Sequence, residues 1–429
     1  MQRPTICNSF WWLLAVSVLA SVPAAAQDSR AGAEPVVGHP VTLAEALAYA
    51  DLHAPEILAA GQGQADVDAA EALAEPRTLE DPQLSVGLGP AGGGDGFGLG
   101  GSVSLTQTLE VHGERALRRD VAERWAAEFE HMESAVRWSV HSAVHGRFIE
   151  ALAEQQRWEV STTLVSFSSS VRDVVLSRVQ LGEDSDLELA LAENALAVAG
   201  QQEFAARADY LRSLQELAVA VGWTESTPPV PVGEAGVPQP APDVDALLAT
   251  ARTERQDLEL YNRRLERLDA ALALAQQESR ADPAIGAEYE FGVLGGLGEH
   301  RALLGLEIAI TTEARRRSLE AGAVADLERV GYEMDSALAA IDVGVRAACE
   351  RLDAAYAQLS LYESTLIPNW NVNLELLRRA FELGEIDLLS LMLAEERLMQ
   401  QQMGAIEATR DYYVALAALE MAVGAEVMQ

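Results

Sequence analysis

Lysine is absent from this 429-residue chain, so the 31 basic residues are all arginines, set against 66 acidic residues. The formal net charge of -35 predicts a surface that repels nucleic acids and anionic lipid headgroups and attracts cations. We therefore expect no nucleic-acid partner. Solubility, or adaptation to a salty habitat, explains this charge as well as a role in cation handling does, and both explanations stay open.

Cysteine is scarce as well, with Cys7 and Cys349 as its two positions. Residues 1–26 are typical of a secretory signal peptide, because Arg3 precedes a short apolar run that ends in alanines. Cys7 would leave with that segment, which excludes an internal disulfide in the exported protein. An uncleaved anchor is the alternative. Residues 27–40 are expected to form a flexible leader.

Long hydrophobic runs are missing after the signal segment. The nearest candidate, Tyr412–Met428, contains Glu420 and Glu426. A spanning helix needs about 20 predominantly apolar residues, so we predict no transmembrane helix.

The chain contains one pattern twice. Leu181-Gly182-Glu183 recurs as Leu383-Gly384-Glu385, an offset of 202 positions that Tyr210 and Tyr412 also keep. A register held over about a hundred residues implies long continuous helices, because loops gain and lose residues. The predicted divisions are a first repeat over 41–222, a Pro-rich linker over 223–242, a second repeat over 243–424 and a tail over 425–429.

Each repeat predicts the order helix, strand, strand, long helix, tip and return helix. In the first repeat we expect a helix from Thr42 to about Ala74, strands over Gln83–Gly89 and Ser102–Leu109, and helices over Glu114–Arg178 and Asp186–Val221. In the second we expect a helix over Asp243–Arg280, strands over Ala284–Val293 and Ala302–Thr311, and helices over Glu313–Leu383 and Asp387–Val423.

The long helices require partners along their whole length. A helix of about 65 residues is about 100 Å long, too long for a compact globular domain. In the second repeat, apolar residues alternate at spacings of three and four, the pattern of a coiled-coil seam. These residues are Leu338, Ile341, Val345, Ala348, Leu352, Ala355 and Leu359. Pro368 predicts a kink or a break in the same helix.

The strands alternate apolar with small or polar residues, which suits one face in lipid and one in a lumen; an ordinary soluble hairpin is the alternative. Four strands per chain cannot close a membrane barrel, whose smallest natural form has about eight. Three chains would supply about 12. The predicted fold is therefore mainly α with a small β part: a trimeric α-barrel of long coiled-coil helices continuous with a 12-stranded outer-membrane β-barrel.

Several segments carry a resemblance. The opening VTLAEALAYADLHAPEILAA from Val41, the duplication and the two Leu-Gly tips resemble the TolC-like outer-membrane efflux family over Val41–Gly424. The segment QTLEVHGERALRRDVAE, Gln107–Glu123, is similar to a pattern in the heavy-metal (cobalt–zinc–cadmium type) efflux branch. The second repeat departs from it, reading TTEARRRSLEAGA without the matching glycine.

The resemblance implies a function and partners. It implies a homotrimer in the outer membrane with a long periplasmic extension, a passive exit duct that needs no cofactor and performs no catalysis. A periplasmic adaptor protein and an inner-membrane RND-type pump would complete the tripartite system. Heavy-metal cations are the expected cargo. The alternatives are a drug, small-molecule or secretion duct of the same family, and a poreless periplasmic coiled-coil scaffold.

The resemblance also assigns site residues. Adaptor docking is expected at the tips, through Arg178, Leu181, Gly182, Glu183, Arg379, Leu383, Gly384 and Glu385. Some family members carry an acidic ring beyond the second tip, where this chain has Ser390. We instead expect an acidic periplasmic aperture built from Asp184, Asp186, Glu188 and Asp387, which trimerisation would triple. Solvated helix ends are the alternative.

One histidine pair was weighed as a metal site. His141 and His145 share a helix face at a spacing that can ligate a metal, but the sequence offers no third ligand. Ordinary surface or interface histidines are the favoured interpretation, and we predict no metal site.

Overall fold

A computed structural model describes residues 38–93, 96–233, 237–294, 297–309, 313–365 and 370–427. The predicted signal segment, most of the leader and Pro368 lie outside these residues. The first repeat contains β1 (His39–Val41), α1 (Leu43–His53), α2 (Pro55–Gly61), α3 (Gln64–Ala74), β2 (Gln83–Gly93), β3 (Gly96–Thr108), α4 (Glu114–Leu181) and α5 (Asp186–Val221). After β4 (Pro229–Pro231), the second contains α6 (Val244–Glu254), α7 (Gln256–Glu278), β5 (Pro283–Leu294), β6 (Leu297–Ile308), α8 (Glu313–Thr365), α9 (Trp370–Glu382) and α10 (Leu388–Val423).

The long helical hairpin of the first repeat is as predicted. Helix α4 has 68 residues, which corresponds to about 100 Å at 1.5 Å per residue. Helix α5 begins after Ser185, whose side chain caps the first turn in a reciprocal pair with Glu188. None of the helices in the described ranges is both long and apolar enough to cross a membrane.

The single helix predicted over 42–74 is wrong. Thr42 and Glu45 do form the expected capping box, but α1 ends at His53 and the chain restarts at Pro55. Ala54 is extended (φ -62°, ψ 124°), the conformation favoured before proline. A second break precedes α3 at Gly63.

The second repeat breaks its first helix at the corresponding place, without a proline. Arg255 is extended (φ -68°, ψ 117°) and separates α6 from α7, so the continuous helix predicted over 243–280 is also wrong. Its guanidinium donates a 2.8 Å hydrogen bond to the Ala422 carbonyl at the end of α10. Tertiary contact therefore fixes a break that no local residue signals.

A left-handed glycine packs against each break. Gly222 (φ 68°) ends α5 against the backbone of His53 and Ala54, and Gly424 (φ 80°) ends α10 against Arg255. The two glycines are 202 positions apart and the two break residues 201 apart, so the repeats share this contact to within one residue.

Both pairs of strands extend further into their connecting turns than predicted. Strands β2 and β3 run through most of the Gly-rich tract, because backbone pairing requires no side chains; residues 94–95 lie outside the described residues. All four long strands form one antiparallel sheet in the order β2-β3-β5-β6. Pairing of β3 with β5, from Leu99↔Val293 to Thr108↔Ala284, joins the two repeats.

The predicted leader and linker also contain regular structure. Strand β1 pairs in parallel with β4, with Pro40 opposite Val230. The end of the leader, residues 39–40, is thus paired with the linker. The composition of the two segments did not indicate this pairing.

The helical core follows the predicted seam. Ile341, Val345, Ala348, Leu352 and Leu359 are buried, and Leu338 and Ala355 are half-buried. A buried carboxylate adds a polar link between repeats, since Glu128 of α4 accepts hydrogen bonds from Arg264 and Arg267 of α7 at 2.7 and 2.5 Å.

Candidate functional site

The two hairpin tips have the same backbone geometry. Gly182 (φ 79°) and Gly384 (φ 73°) adopt the left-handed conformation that glycine reaches without a steric penalty. The following amides close the helix ends: Glu183 N–H donates to the Arg178 carbonyl at 2.9 Å, and Glu385 N–H to the Ala380 carbonyl at 2.8 Å. The repeated Leu-Gly-Glu sequence therefore forms the same reversal twice.

An apolar side chain is exposed at each tip. Leu181 is 74% exposed and Leu383 76%, with Glu183 and Glu385 exposed beside them. A leucine with an acidic neighbour at a chain reversal suits contact with another protein, and the predicted docking role of these residues stays a prediction.

Arg178 and Arg379 differ in what they contact. The Arg178 guanidinium donates to the carbonyls of Phe381 and Glu382 at 2.6 and 3.0 Å and lies 4.8 Å from the centroid of the Phe381 ring. Those carbonyls end α9, where a cation is favoured by the helix dipole. Arg379 instead pairs with Glu375 of its own helix at 2.8 Å. Arg178 thus joins one tip to the other.

Replacing Arg178 with alanine should loosen both tips. Loss of the charged hydrogen bonds removes about 2 kcal/mol from the local opening free energy, so tip amides should exchange about 30-fold faster. Hydrogen exchange of peptides covering the two tips measures this. The matched variant Arg379→Ala loses only an intrahelical pair and should change exchange far less. Equal acceleration by both variants would disprove the tip-to-tip link.

The predicted aperture residues also stabilise the tips. Glu188 accepts from Ser185 N–H at 2.7 Å, and Asp387 accepts from Ser390 N–H at 2.7 Å. The backbone and side chain of Ser185 lower the pKa of Glu188, while the nearby Asp387 charge opposes part of the effect; the side chain and backbone of Ser390 lower the pKa of Asp387. Asp184 is half-buried and Asp186 exposed. The two tips therefore bring acidic groups together, and their aperture role stays a prediction.

The sheet separates apolar from polar side chains over all four strands. Directly paired residues share a face, and pairs such as Leu84↔Leu105 and Ala287↔Leu304 place the apolar set on one side. The exposed members of that face are Leu84, Val86, Leu88, Leu99, Val103, Leu105, Ile285, Tyr289, Leu304, Leu306 and Ile308. An exposed apolar area of this extent marks a surface made for contact with lipid or protein.

The opposite face of the sheet is polar. Its residues include Ser85, Ser102, Ser104, Thr106, Glu288, Glu290, Arg301 and Glu307. Leu303, a large apolar residue, also lies on this face. On the apolar side, the Tyr289 hydroxyl lies 2.8 Å from His300 Nδ1 with the rings stacked, an amphipathic pair suited to a membrane interface.

The segment similar to the heavy-metal pattern forms the turn from β3 into α4. Gln107 Nε2 donates to the Glu80 carbonyl at 2.9 Å, while Glu110 Oε1 accepts from Leu79 N–H at 2.7 Å and from Arg118 at 2.8 Å. Gly113 (φ 86°) makes the reversal. The motif thus stabilises the junction between the sheet and the helices.

His141 and His145, the pair weighed as a metal site, do not point at a common position. His141 Nε2 lies 2.8 Å from Asp51, whereas His145 Nδ1 lies 3.7 Å from Glu420. Burial lowers the pKa of His145. A different histidine, His112, does have two acidic neighbours; the sequence placed Glu114 beside it but gave no sign of Asp282, which lies 170 positions away.

Solved structures of several channel and outer-membrane proteins have a similar arrangement. One is CusC, whose crystal structures concern the conformational changes that accompany folding and transmembrane channel formation. It matches with a TM-score of 0.69 and 14% identity, and the match covers 89% of this chain and 92% of that chain. VceC, an outer membrane protein of Vibrio cholerae, gives 0.67 and 15%, covering 90% and 97%. The CmeC outer membrane channel of Campylobacter jejuni gives 0.68 and 13%, covering 90% and 86%.

The chain has the fold of these proteins. No protein-family model and no curated protein sequence matches it. At 13–15% identity the likeness concerns the fold.

Proposed function

We propose that this chain is one subunit of a TolC-like outer-membrane channel, the passive exit duct of a tripartite efflux system. The observation that carries the proposal is the sheet, whose apolar face continues over four strands while its opposite face stays polar. Lipid on one side and water on the other account for that division. A poreless scaffold requires neither face, and the chain performs no catalysis in this role.

The assembly proposed is a homotrimer. The strands have 11 to 13 residues, which is long enough to cross a bilayer when tilted, since about 9–11 residues suffice. Three copies of the sheet would close a 12-stranded barrel, and three copies of each helical hairpin would form the periplasmic α-barrel. The fold shared with the outer-membrane channels supports this assembly.

Heavy-metal cations are the proposed cargo. The net charge of -35, the acidic groups at the tips and Glu288 and Glu290 on the polar face all favour cations over anions. The likeness to the heavy-metal branch in Gln107–Glu123 adds to this. Drug or small-molecule export by the same fold is the second candidate.

Single-channel recording of the purified protein in a planar lipid bilayer tests the pore. Discrete conductance steps with a cation/anion permeability ratio well above one are expected, because the polar face and tips carry excess negative charge. Soluble oligomers that never insert would overturn the channel and leave the scaffold. Growth of a deletion strain on zinc, cobalt and cadmium salts, compared with growth on dyes and antibiotics, then separates the two cargo classes.

The tips can be tested apart from the pore. The double variant Leu181→Asp, Leu383→Asp should conduct like the unmodified protein in a bilayer but restore no more metal tolerance than an empty vector, because an adaptor would lose its apolar contacts. Ser177→Asp adds one such charge four residues before Leu181 without removing an apolar side chain, and should restore tolerance. Full tolerance in the double variant would contradict docking at the tips.

A further inference from the structure

The turn from sheet to helix brings the two repeats into direct contact. Leu109 N–H donates to the Pro283 carbonyl at 2.8 Å, and Val111 N–H donates to Asp282 Oδ1 at 3.3 Å. The segment after β3 is thereby fixed beside the segment before β5. Side chains 170 positions apart in the sequence meet at this junction.

Three ligand-type side chains converge there. His112 Nδ1 lies 3.1 Å from Asp282 Oδ1 and 3.3 Å from Glu114 Oε1, and the three ligand atoms lie within 4.8 Å of one another. His112 and Asp282 are partly accessible, with 26% and 19% of their side chains exposed, whereas Glu114 is 2% exposed. The cluster is therefore nearly enclosed and still reachable from solvent.

One oxygen in the cluster lacks a partner. Glu114 Oε2 accepts from the His112 backbone N–H at 3.1 Å, but the buried Oε1 has no hydrogen-bond partner among the described residues. His112 Nδ1 carries at most one hydrogen, and Asp282 is its nearer acceptor. A buried carboxylate oxygen left this way is costly, and a cation would satisfy it.

Further acidic side chains surround the cluster. Arg118 forms an ion pair with Glu110 Oε1 at 2.8 Å. The other oxygen, Glu110 Oε2, is buried and has no hydrogen-bond partner in the described part of the chain. Burial raises the pKa of the nearby Glu278 carboxyl, Arg118 opposes the shift, and the charges of Glu110 and Glu114 add to it.

We propose that His112 Nδ1, Glu114 Oε1 and Asp282 Oδ1 bind one divalent transition-metal cation of the zinc class. Bonds of about 2.0–2.1 Å in a tetrahedron place neighbouring ligand atoms about 3.3 Å apart. The separations of 3.1 and 3.3 Å from His112 match that edge. A histidine with two carboxylates favours zinc over calcium or magnesium, which prefer oxygen ligands alone. A water molecule would complete the set.

The site goes beyond the proposed export role, since this cation stays in place as a clamp. Two ligands belong to the first repeat and one to the second, so the cation ties β3 and α4 to the segment before β5. Because the ligands converge only in the folded chain, binding should stabilise the fold.

Zinc titration of the full-length, chelator-stripped protein in detergent tests the clamp. We expect one zinc per chain, a raised thermal midpoint, and tetrahedral absorption bands when cobalt(II) replaces zinc. Asp282→Asn keeps the size and an acceptor for Val111 N–H, and should weaken zinc binding at least 100-fold. His141→Ala removes a histidine with a single acidic neighbour and should bind zinc like the unmodified protein.

Two results would overturn the site. One is less than one zinc per chain in the unmodified protein. The other is equal zinc affinity in the unmodified protein and Asp282→Asn, with the apo variant shown to be folded by its circular dichroism. Neither readout involves transport, so failure of the channel proposal would leave this result interpretable.

Discussion

Gly222→Ala should destabilise the protein more than Gly182→Ala or Gly146→Ala does. A Cβ at this position would lie 2.2 Å from the His53 carbonyl oxygen and 2.6 Å from its carbon. Both atoms are backbone, so no side chain can rotate away. The left-handed φ of 68° adds strain of about 1–2 kcal/mol, and the clash brings the expected cost to roughly 2–5 kcal/mol.

Two other glycines separate strain from clash. Gly182 has a similar φ of 79° but open space around its Cβ position, so Gly182→Ala should cost only about 1–2 kcal/mol. Gly146 lies within α4 with equally open space, and Gly146→Ala should stabilise the helix by up to about 1 kcal/mol. Thermal midpoints followed by circular dichroism should rank the three variants in that order. A Gly222→Ala midpoint equal to that of Gly182→Ala would show that the backbone contact is unimportant.

Raising the pH from 5 to 8 should lower the free energy of unfolding, because Glu395 loses its proton in this interval. Burial of this α10 carboxyl raises its pKa to about 7, and the nearby Ser168 hydroxyl offsets only part of the effect. Between the ordinary value of 4.5 and about 7, the unfolded chain has released the proton while the folded chain retains it. Stability therefore falls as pH rises through this interval, by about 3 kcal/mol, and levels off above it.

Glu395→Gln should remove that fall, because the amide imitates the protonated carboxyl. Its thermal midpoint should match the unmodified protein near pH 4.5 and exceed it at pH 8. Glu193 occupies the equivalent position on α5 but is exposed, so Glu193→Gln is the matched control and should follow the unmodified protein. A Glu395→Gln curve parallel to the unmodified one would exclude this carboxyl as the source.

The sequence predicted those elements whose ends carry local signals. Ser185 before α5 and Gly182 after α4 mark their positions through capping and left-handed geometry, and the structure agrees. Pro55 carried such a signal too, and the prediction overlooked it. Arg255 carries none: its extended backbone depends on the end of α10, and only the offset between repeats could have transferred the break from one copy to the other.

The sites divide in the same way. The tips followed from a repeated tripeptide, because the reversal is local. Contacts that depend on tertiary packing were missed, such as Arg178 reaching Phe381 and Asp282 meeting His112. The strand pairing between repeats creates the second of these, and the sequence predicted the strands without predicting that β3 and β5 are neighbours.

The strand order has a consequence for how copies of the chain can associate. The two free edges of the sheet belong to different repeats, β2 to the first and β6 to the second, and they run in opposite directions. Pairing β6 of one copy with β2 of the next therefore continues the antiparallel order and is heterologous, with unlike surfaces meeting. Heterologous contacts give rings when the rotation between copies closes and open fibres when it does not. In the proposed oligomer, sheet curvature rather than the chemistry of the edges would therefore set the number of subunits.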